Sequence, residues 1–316
     1  MADVIKVEEL SKRYGKFVAL NNISFTSPFG GVIGLIGPNG AGKTSLLKIL
    51  SGLMPATSGQ VSICGVDLVE NPILARGKIS FMPEINPLPD HMRVGEYLRF
   101  RAALKGIKNI RLCTEKVMRK CDLYYDARYK IIKNLSKGYR QRVGIADALL
   151  GDNELIILDE PTIGLDPKQI ILIRQTLLEL RGSRTLLISS HILSELETIC
   201  NHFIIINGGE IVAIGSLADI YKSKFDSNIM YIDLSSKGVT AEAINNFLSE
   251  NQLTRLGASQ EKNCESLRVE FKFDGYCTNK IIKSAADHFG ENLLSIGRES
   301  SSLEEIFLST TRRYRD

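Results

Sequence analysis

The chain has 316 residues, of which 44% are hydrophobic and 24% charged, a composition that excludes an intrinsically disordered or fibrous protein and fits about two globular domains. No apolar stretch reaches the ~18 residues of a membrane span. The opening Met1-Ala2-Asp3-Val4-Ile5-Lys6 lacks the basic-then-apolar order of a secretory signal, so any action at a membrane is expected to run through a partner. The net charge of +4 is unevenly spread: residues 93–142 carry 15 basic and 4 acidic side chains, whereas residues 143–228 carry 6 and 12. The first block is therefore a basic island, suited to a solvated helical face, an anion or a membrane surface. Six scattered cysteines (Cys64, Cys113, Cys121, Cys200, Cys264, Cys277) form no C-x-x-C pair and read as reduced cytosolic thiols.

In chain order, Val4–Val7 and Val18–Leu20 read as strands about a polar turn at Arg13-Tyr14-Gly15-Lys16. Val32-Ile33-Gly34-Leu35-Ile36 is a continuous apolar run, the mark of a strand buried on both faces. A glycine-rich turn leads to a helix expected over Thr44–Leu53, with Leu46, Leu47, Ile49, Leu50 and Leu53 at helical spacing. The pattern from about 93 to 150 is helical. Leu155–Leu158 and Thr185–Ile188 are two more buried strands, and the helix between them opens on Asp166-Pro167, an N-cap followed by a proline at the first helical position. Alternating strands and helices imply a parallel, helix-covered sheet. Asn207-Gly208-Gly209 between Phe203–Ile206 and Ile211–Ile214 predicts a hairpin, and a short helix runs from Leu217 to about Lys224.

Polar Phe225-Asp226-Ser227-Asn228 is the expected linker. Beyond it come a strand at Ile229–Ile232, a helix at Ala241–Leu248 capped by Thr240, and a strand alternating through Leu267, Val269, Phe271 and Phe273. A helix at Thr278–Phe289 closed by Gly290, a strand at Leu293–Ile296 and a helix opened by a capping box of Ser302 and Glu305 complete it. A β-α-β-β-α-β order of this kind resembles a small ferredoxin-like domain.

Gly37-Pro38-Asn39-Gly40-Ala41-Gly42-Lys43-Thr44 matches G-x-x-x-x-G-K-[ST], between a buried strand and an amphipathic helix. Glycines let backbone N–H groups converge on phosphate oxygens, and the helix start adds partial positive charge. Lys43 is expected to reach the β- and γ-phosphates and the Thr44 hydroxyl to ligate Mg²⁺. The strand at 155–158 ends in Asp159-Glu160-Pro161, two carboxylates at the strand edge where doubly wound sheets bind ligands. Asp159 is expected to hold Mg²⁺ through its hydration shell and Glu160 to polarise the attacking water.

With these motifs in order, residues 4–222 resemble an ATP-binding cassette, the nucleotide-binding subunit of an ABC transporter. Leu135-Ser136-Lys137-Gly138-Tyr139 stands where that family places Leu-Ser-Gly-Gly-Gln, Gly164-Leu165-Asp166 resembles its D-loop, and His191 its switch histidine. Tyr14 falls where the family stacks an aromatic on adenine, and Glu84 where it has the Q-loop glutamine. Independently of the resemblance, Ser136 is an N-cap and its helix start a second anion site. The resemblance implies an α/β P-loop cassette with an N-terminal antiparallel β part and a helical subdomain (1–224, subdomain about 85–150), plus the α+β unit at 229–316. It further implies ATP contacts from Tyr14, the 37–44 loop, Ser45, Ser136, Lys137, Gly138 and Asp166; Mg²⁺ contacts from Thr44, Glu84 and Asp159; and catalysis by Glu160, His191 and Lys43. Two copies would sandwich two ATP molecules and drive a separate transmembrane permease from the cytoplasmic face of the membrane. The variants at Glu84, Lys137 and Tyr139 resemble a bacterial subgroup that includes gliding-motility and export systems.

The sequence bears on two other functional classes. A nucleic-acid or ribosome-acting ABC ATPase would use the basic island on phosphates. Such relatives carry paired cassettes or long coiled-coil insertions, whereas one phosphate loop is present here and 91 residues (45–135) separate Thr44 from Ser136, so no nucleic-acid partner is expected. A dead nucleotide sensor is disfavoured by the retention of Lys43, Asp159, Glu160 and His191.

Overall fold

The computed structural model describes residues 3–28, 30–224, 229–235, 239–260, 266–272, 278–298, 303–304 and 307. Contacts divide the chain into two units, Met1–Leu217 with Leu303–Asp316, and Ala218–Ser302.

The first unit opens with a hairpin of β1 (Asp3–Tyr14) and β2 (Phe17–Pro28), turned by Gly15 at φ 58°, and both strands run well beyond the apolar stretches that announce them. Then come β3 (Val32–Ile36), α1 (Lys43–Leu50), β4 (Ser58–Ile63), β5 (Val66–Asp67), α2 (Pro72–Gly77) and β6 (Ile79–Met82). The stretch expected to be helical resolves into α3 (Val94–Leu104), α4 (Ile110–Lys120) and α5 (Lys137–Ala148). It is followed by β7 (Leu155–Asp159), α6 (Pro167–Leu178), β8 (Thr185–Ser189), α7 (Leu193–Ile199), β9 (His202–Asn207) and β10 (Glu210–Gly215), while α8 (Leu217–Lys224) begins at the boundary and belongs from Ala218 onward to the second unit.

Two sheets result. β2-β1-β4-β5 is antiparallel; β10-β9-β3-β8-β7-β6 is parallel except for the β9–β10 hairpin. Gly208 and Gly209 both have positive φ, as the two-residue turn of that hairpin demands. Every residue of β3, β7 and β8 is buried, which explains their unbroken apolar character. Register aligns the functional edge: Leu35 pairs with Ser189 and Ser189 with Asp159, so the chain leaves β3 into the glycine loop beside the carboxylates that end β7.

One helix ends earlier than its periodicity predicts. α1 stops at Leu50, because Gly52 (φ 71°) turns the chain and the N–H groups of Gly52 and Leu53 close back on the carbonyls of Ile49 and Lys48. Leu53 is consequently exposed, while Leu46, Leu47, Ile49 and Leu50 pack with Leu35, Ile157 and Leu187.

The second unit comprises β11 (Ile229–Ser235), α9 (Ala241–Glu250), β12 (Thr254–Gln260), β13 (Ser266–Lys272), α10 (Thr278–Phe289) and β14 (Leu293–Arg298). Its antiparallel sheet has the order β12-β13-β11-β14, and Thr240 caps α9 by accepting from Ala243 N–H. Ile232, Leu234, Val269 and Phe271 from the sheet enclose a core with Ile244, Phe247, Ile281, Ala285 and Phe289 from the helices. The expected linker at 225–228, the strand residue Phe273 and the capping box of Ser302 and Glu305 lie outside the described residues.

Candidate active site

The 37–44 loop is hemmed in by backbone. A Cβ on Gly37 would lie 2.4 Å from the carbonyl oxygen of Ile206, and one on Gly42 2.5 Å from that of Ala19, with Gly42 at φ 104°. Only glycine fits these two positions, and the loop they allow delivers the chain to the start of α1. That start has neither a side-chain cap nor an acidic residue in its first turn, so its N–H groups remain available to an anion. Lys43 Nζ folds back over the loop and donates to the carbonyls of Gly37 (2.6 Å) and Pro38 (3.1 Å). Burial holds the Lys43 ammonium below its ordinary range, opposed by the charges of Glu160, Asp159 and Glu84, which places all three carboxylates within electrostatic reach of one lysine.

Beside the loop lies a shallow cleft of about 220 Å³ whose walls include Tyr14, Phe17, Asn39, Thr44 and Ser45. The Tyr14 hydroxyl is 3.3 Å from Ser45 Oγ and 2.9 Å from Met54 Sδ, with Lys12 Nζ 5.3 Å from the ring centroid. Phe17, the more exposed ring at 61% against 45% for Tyr14, lines the same cleft. Its only signal in the sequence is an aromatic just after the hairpin turn at Gly15.

The acidic edge is held from three sides. Asp159 is buried and accepts from Ser189 Oγ at 2.5 Å; burial pushes its carboxyl above the ordinary value and the serine bond opposes that shift. Glu160 takes the left-handed conformation (φ 51°), uncommon for a side chain of its size and a source of local strain. Its N–H donates to Ser189 (3.2 Å to O, 3.1 Å to Oγ), and its carbonyl accepts from Gln141 Nε2 at 2.8 Å. Its carboxylate Oε2 lies 2.7 Å from His191 Nδ1. An ionised carboxylate only accepts, so Nδ1 carries the proton of that bond and Nε2 is left for another partner. Ser189 and Gln141 are thus part of the site, and neither stood out in the sequence. Glu84 is exposed just after β6 and interacts electrostatically with Asp159.

The second helix start forms from different neighbours. Ser136 caps α5, its Oγ accepting from Tyr139 N–H at 3.4 Å. Gly138 is buried against Gly164 O and Gln169 Oε1, where a Cβ would sit 3.1 and 2.9 Å away. The Lys137 stem crosses Gly164, and Asp166 caps α6 by accepting from Gln169 N–H at 2.9 Å. Tyr139 lies under Arg142, whose Cζ is 4.2 Å from the ring centroid.

The loop fits a polyphosphate by its glycine-only clearances, free N–H groups and folded lysine. The oxygen donors Thr44, Asp159 and Glu84 are of the hard type Mg²⁺ takes, usually as one or two protein groups beside phosphate oxygens and water. Among the described residues there is no cluster of three or more His, Cys, Asp or Glu that could hold a metal by itself.

The family model for ABC transporters matches residues 20–163. The linearmycin resistance ATP-binding protein LnrL of Bacillus subtilis is 30% identical over 98% of this chain and 99% of its own length. This chain belongs to the ATP-binding subunits of ABC transporters. The Nod factor export ATP-binding protein I of Cupriavidus pinatubonensis is 32% identical over 98% of this subunit and 91% of that protein. Among solved structures, an ATP-binding subunit of an ABC transporter superposes with a TM-score of 0.64 at 31% identity, covering 70% of this subunit and 92% of that chain. The dimeric structure of MJ0796, a bacterial ABC transporter cassette, does so with a TM-score of 0.63 at 25% identity, covering 67% of this subunit and 98% of that chain. The ABC ATP-binding subunit is accordingly an ATPase whose substrate is ATP with Mg²⁺. No described helix is long and apolar enough to cross a membrane.

Proposed function

We propose that this subunit hydrolyses ATP to drive export through a separate membrane-spanning permease, as a homodimer with two ATP molecules at its interface. The observation that carries the reading is the convergence of Lys43, Asp159, Glu160 and Glu84 at one sheet edge, with His191 bonded to Glu160. The export direction is supported by the names of the relatives above, and the dimer by the MJ0796 cassette. In this reading the N–H groups of the 37–44 loop and α1 bind the phosphates, with Ser45 beside them, and Lys43 exchanges its carbonyl partners for phosphate oxygens. Tyr14 supports adenine, with Phe17 as a second ring. Thr44, Asp159 and Glu84 hold Mg²⁺, which when bound neutralises phosphate charge in the transition state.

Glu160 accepts the proton of the attacking water, its backbone held by Gln141 and Ser189 and its carboxylate by His191, whose Nε2 faces the γ-phosphate. Ser136, Lys137 and Gly138 of one protomer meet the γ-phosphate held by the other, and Asp166 lies across the same interface. Exposed Ile85 beside Glu84, with Ile73, Leu74, Leu104 and Leu112 around a cleft of about 1010 Å³, offers the permease an apolar footing on the cytoplasmic face of the membrane. The second unit serves as a regulatory or dimer-supporting module. The test is Glu160→Gln: hydrolysis should fall about 10²- to 10⁴-fold, while ATP affinity stays and light scattering shows an ATP-dependent dimer. Unchanged turnover would refute the assignment.

A further inference from the structure

The basic island contains a cavity that the nucleotide chemistry does not use. It has a volume of about 640 Å³, within the range of small-ligand sites, and lies between the start of α3, α4 and the segment after α4. Four arginines line it: Arg93, Arg99, Arg111 and Arg128. Two are already engaged, Arg93 with Glu96 and the Tyr129 carbonyl, and Arg111 with Glu115. Arg99 and Arg128 have no carboxylate partner among the described residues.

Arg128 is held in an unusual way. Its Cζ stands 4.4 Å from the Tyr124 centroid and 4.5 Å from that of Tyr129, while Arg119 covers Tyr124 at 3.9 Å. Its Nε is sheltered from water without an acceptor. The guanidinium is therefore positioned by rings rather than by an anion, which leaves its charge uncompensated and its outer N–H groups uncommitted. Arg99 comes close by: a Cβ on Gly95 would lie 3.5 Å from Arg99 Nη1 and 3.1 Å from the Arg128 carbonyl oxygen. One ring-held guanidinium and a second, exposed arginine lining the same cavity match an anion with several oxygens and more than one charge, and phosphate meets both conditions.

We propose that this cavity binds a phosphate group, either free or as the headgroup of an anionic lipid, through Arg99 and Arg128. The site is separate from the Lys43 loop, so its test is independent of the ATPase reading. With the nucleotide site filled by Mg²⁺ and a non-hydrolysable ATP analogue, inorganic phosphate is titrated calorimetrically. In a second arm, vesicles of phosphatidylcholine with and without phosphatidic acid are sedimented with the protein. Binding in either arm should weaken at least about tenfold in Arg99→Gln/Arg128→Gln, and stay near the wild-type value in the charge-matched Lys108→Gln/Lys133→Gln. Binding in the phosphate arm identifies a soluble ligand; binding in the vesicle arm alone identifies a lipid headgroup. Absence of saturable binding in both arms, or equal weakening by both variant pairs, overturns the proposal. Retained ATP affinity certifies the fold of each variant, and Arg99→Gln alone is read by the same criteria if the double variant does not fold.

Discussion

At the scale of single residues, Asp159 carries a cost that the fold bears at its sheet edge. Burial raises its native pKa above the ordinary 3.8, with Glu160 and Glu84 adding like charge. In the range where the carboxyl is ionised in both states, the native state is the one penalised. The penalty is complete above the raised native pKa and vanishes below the unfolded value, so this group makes stability fall as pH rises between them. Asp159→Asn removes the charge and keeps an oxygen for the Ser189 hydroxyl. Its expected outcome is loss of ATP turnover together with a gain of roughly 1 kcal/mol at neutral pH, the common yield of relieving a functional site. That gain should fade as pH is lowered through the native pKa, and thermal melts of the nucleotide-free protein across pH would show it. A lower Tm at neutral pH would contradict the argument. Asp159 and Glu160 were legible because a buried strand must end and its polar residues mark the end. Ser189 and Gln141 were not, because their contacts reach across 30 and 19 residues and no local spacing encodes them.

At the scale of elements, a cap can serve its helix and its partner at once, and Asp166 separates the two roles. Its side chain accepts from Gln169 N–H at the start of α6, where Pro167 occupies the first helical position. Asp166→Ala should cost about 1 kcal/mol of stability through the lost cap. Asp166→Asn keeps the acceptor and should restore the Tm. If Asp166 also acts across the proposed dimer, the asparagine variant will remain slow in hydrolysis although fully stable; paired melts and ATPase assays distinguish the cases, and a variant both stable and fully active leaves the residue a cap alone.

The elements that sequence announced are those whose own residues satisfy the rule for the element: the unbroken apolar strands, the Asn-Gly turn, the Ser136, Asp166 and Thr240 caps. β4 and β12 carry no such signal because their sequences are mixed, Ser-Gly-Gln-Val-Ser-Ile between β1 and β5 and Thr-Arg-Leu-Gly-Ala-Ser-Gln at a sheet edge beside β13, and their strand character comes from the neighbours they pair with. α1 ends short of its apolar spacing, which Leu53 continues past Gly52, because conformational freedom at the glycine outweighs periodicity.

At the scale of the whole molecule, each unit has a core of its own, and this is the physical basis for expecting them to melt separately. Phe247 is the centre of the second core: fully buried on α9, with Phe289 at 5.1 Å and Phe271 at 6.1 Å between ring centroids. His288 lies against the same ring at 5.8 Å between centroids, its Nε2 3.1 Å from the Ala243 carbonyl oxygen. Phe247→Ala in the full chain removes a ring whose loss typically costs about 3–5 kcal/mol. A core of this size has little stability beyond that amount, so the second unit should unfold while the first keeps its melting transition and its ATP affinity. Calorimetry would then show one transition shifted or absent and the other unmoved, with nucleotide binding measured on the same sample. Loss of ATP binding in Phe247→Ala would show that the cassette depends on the second core and that the two units are not thermodynamically separate.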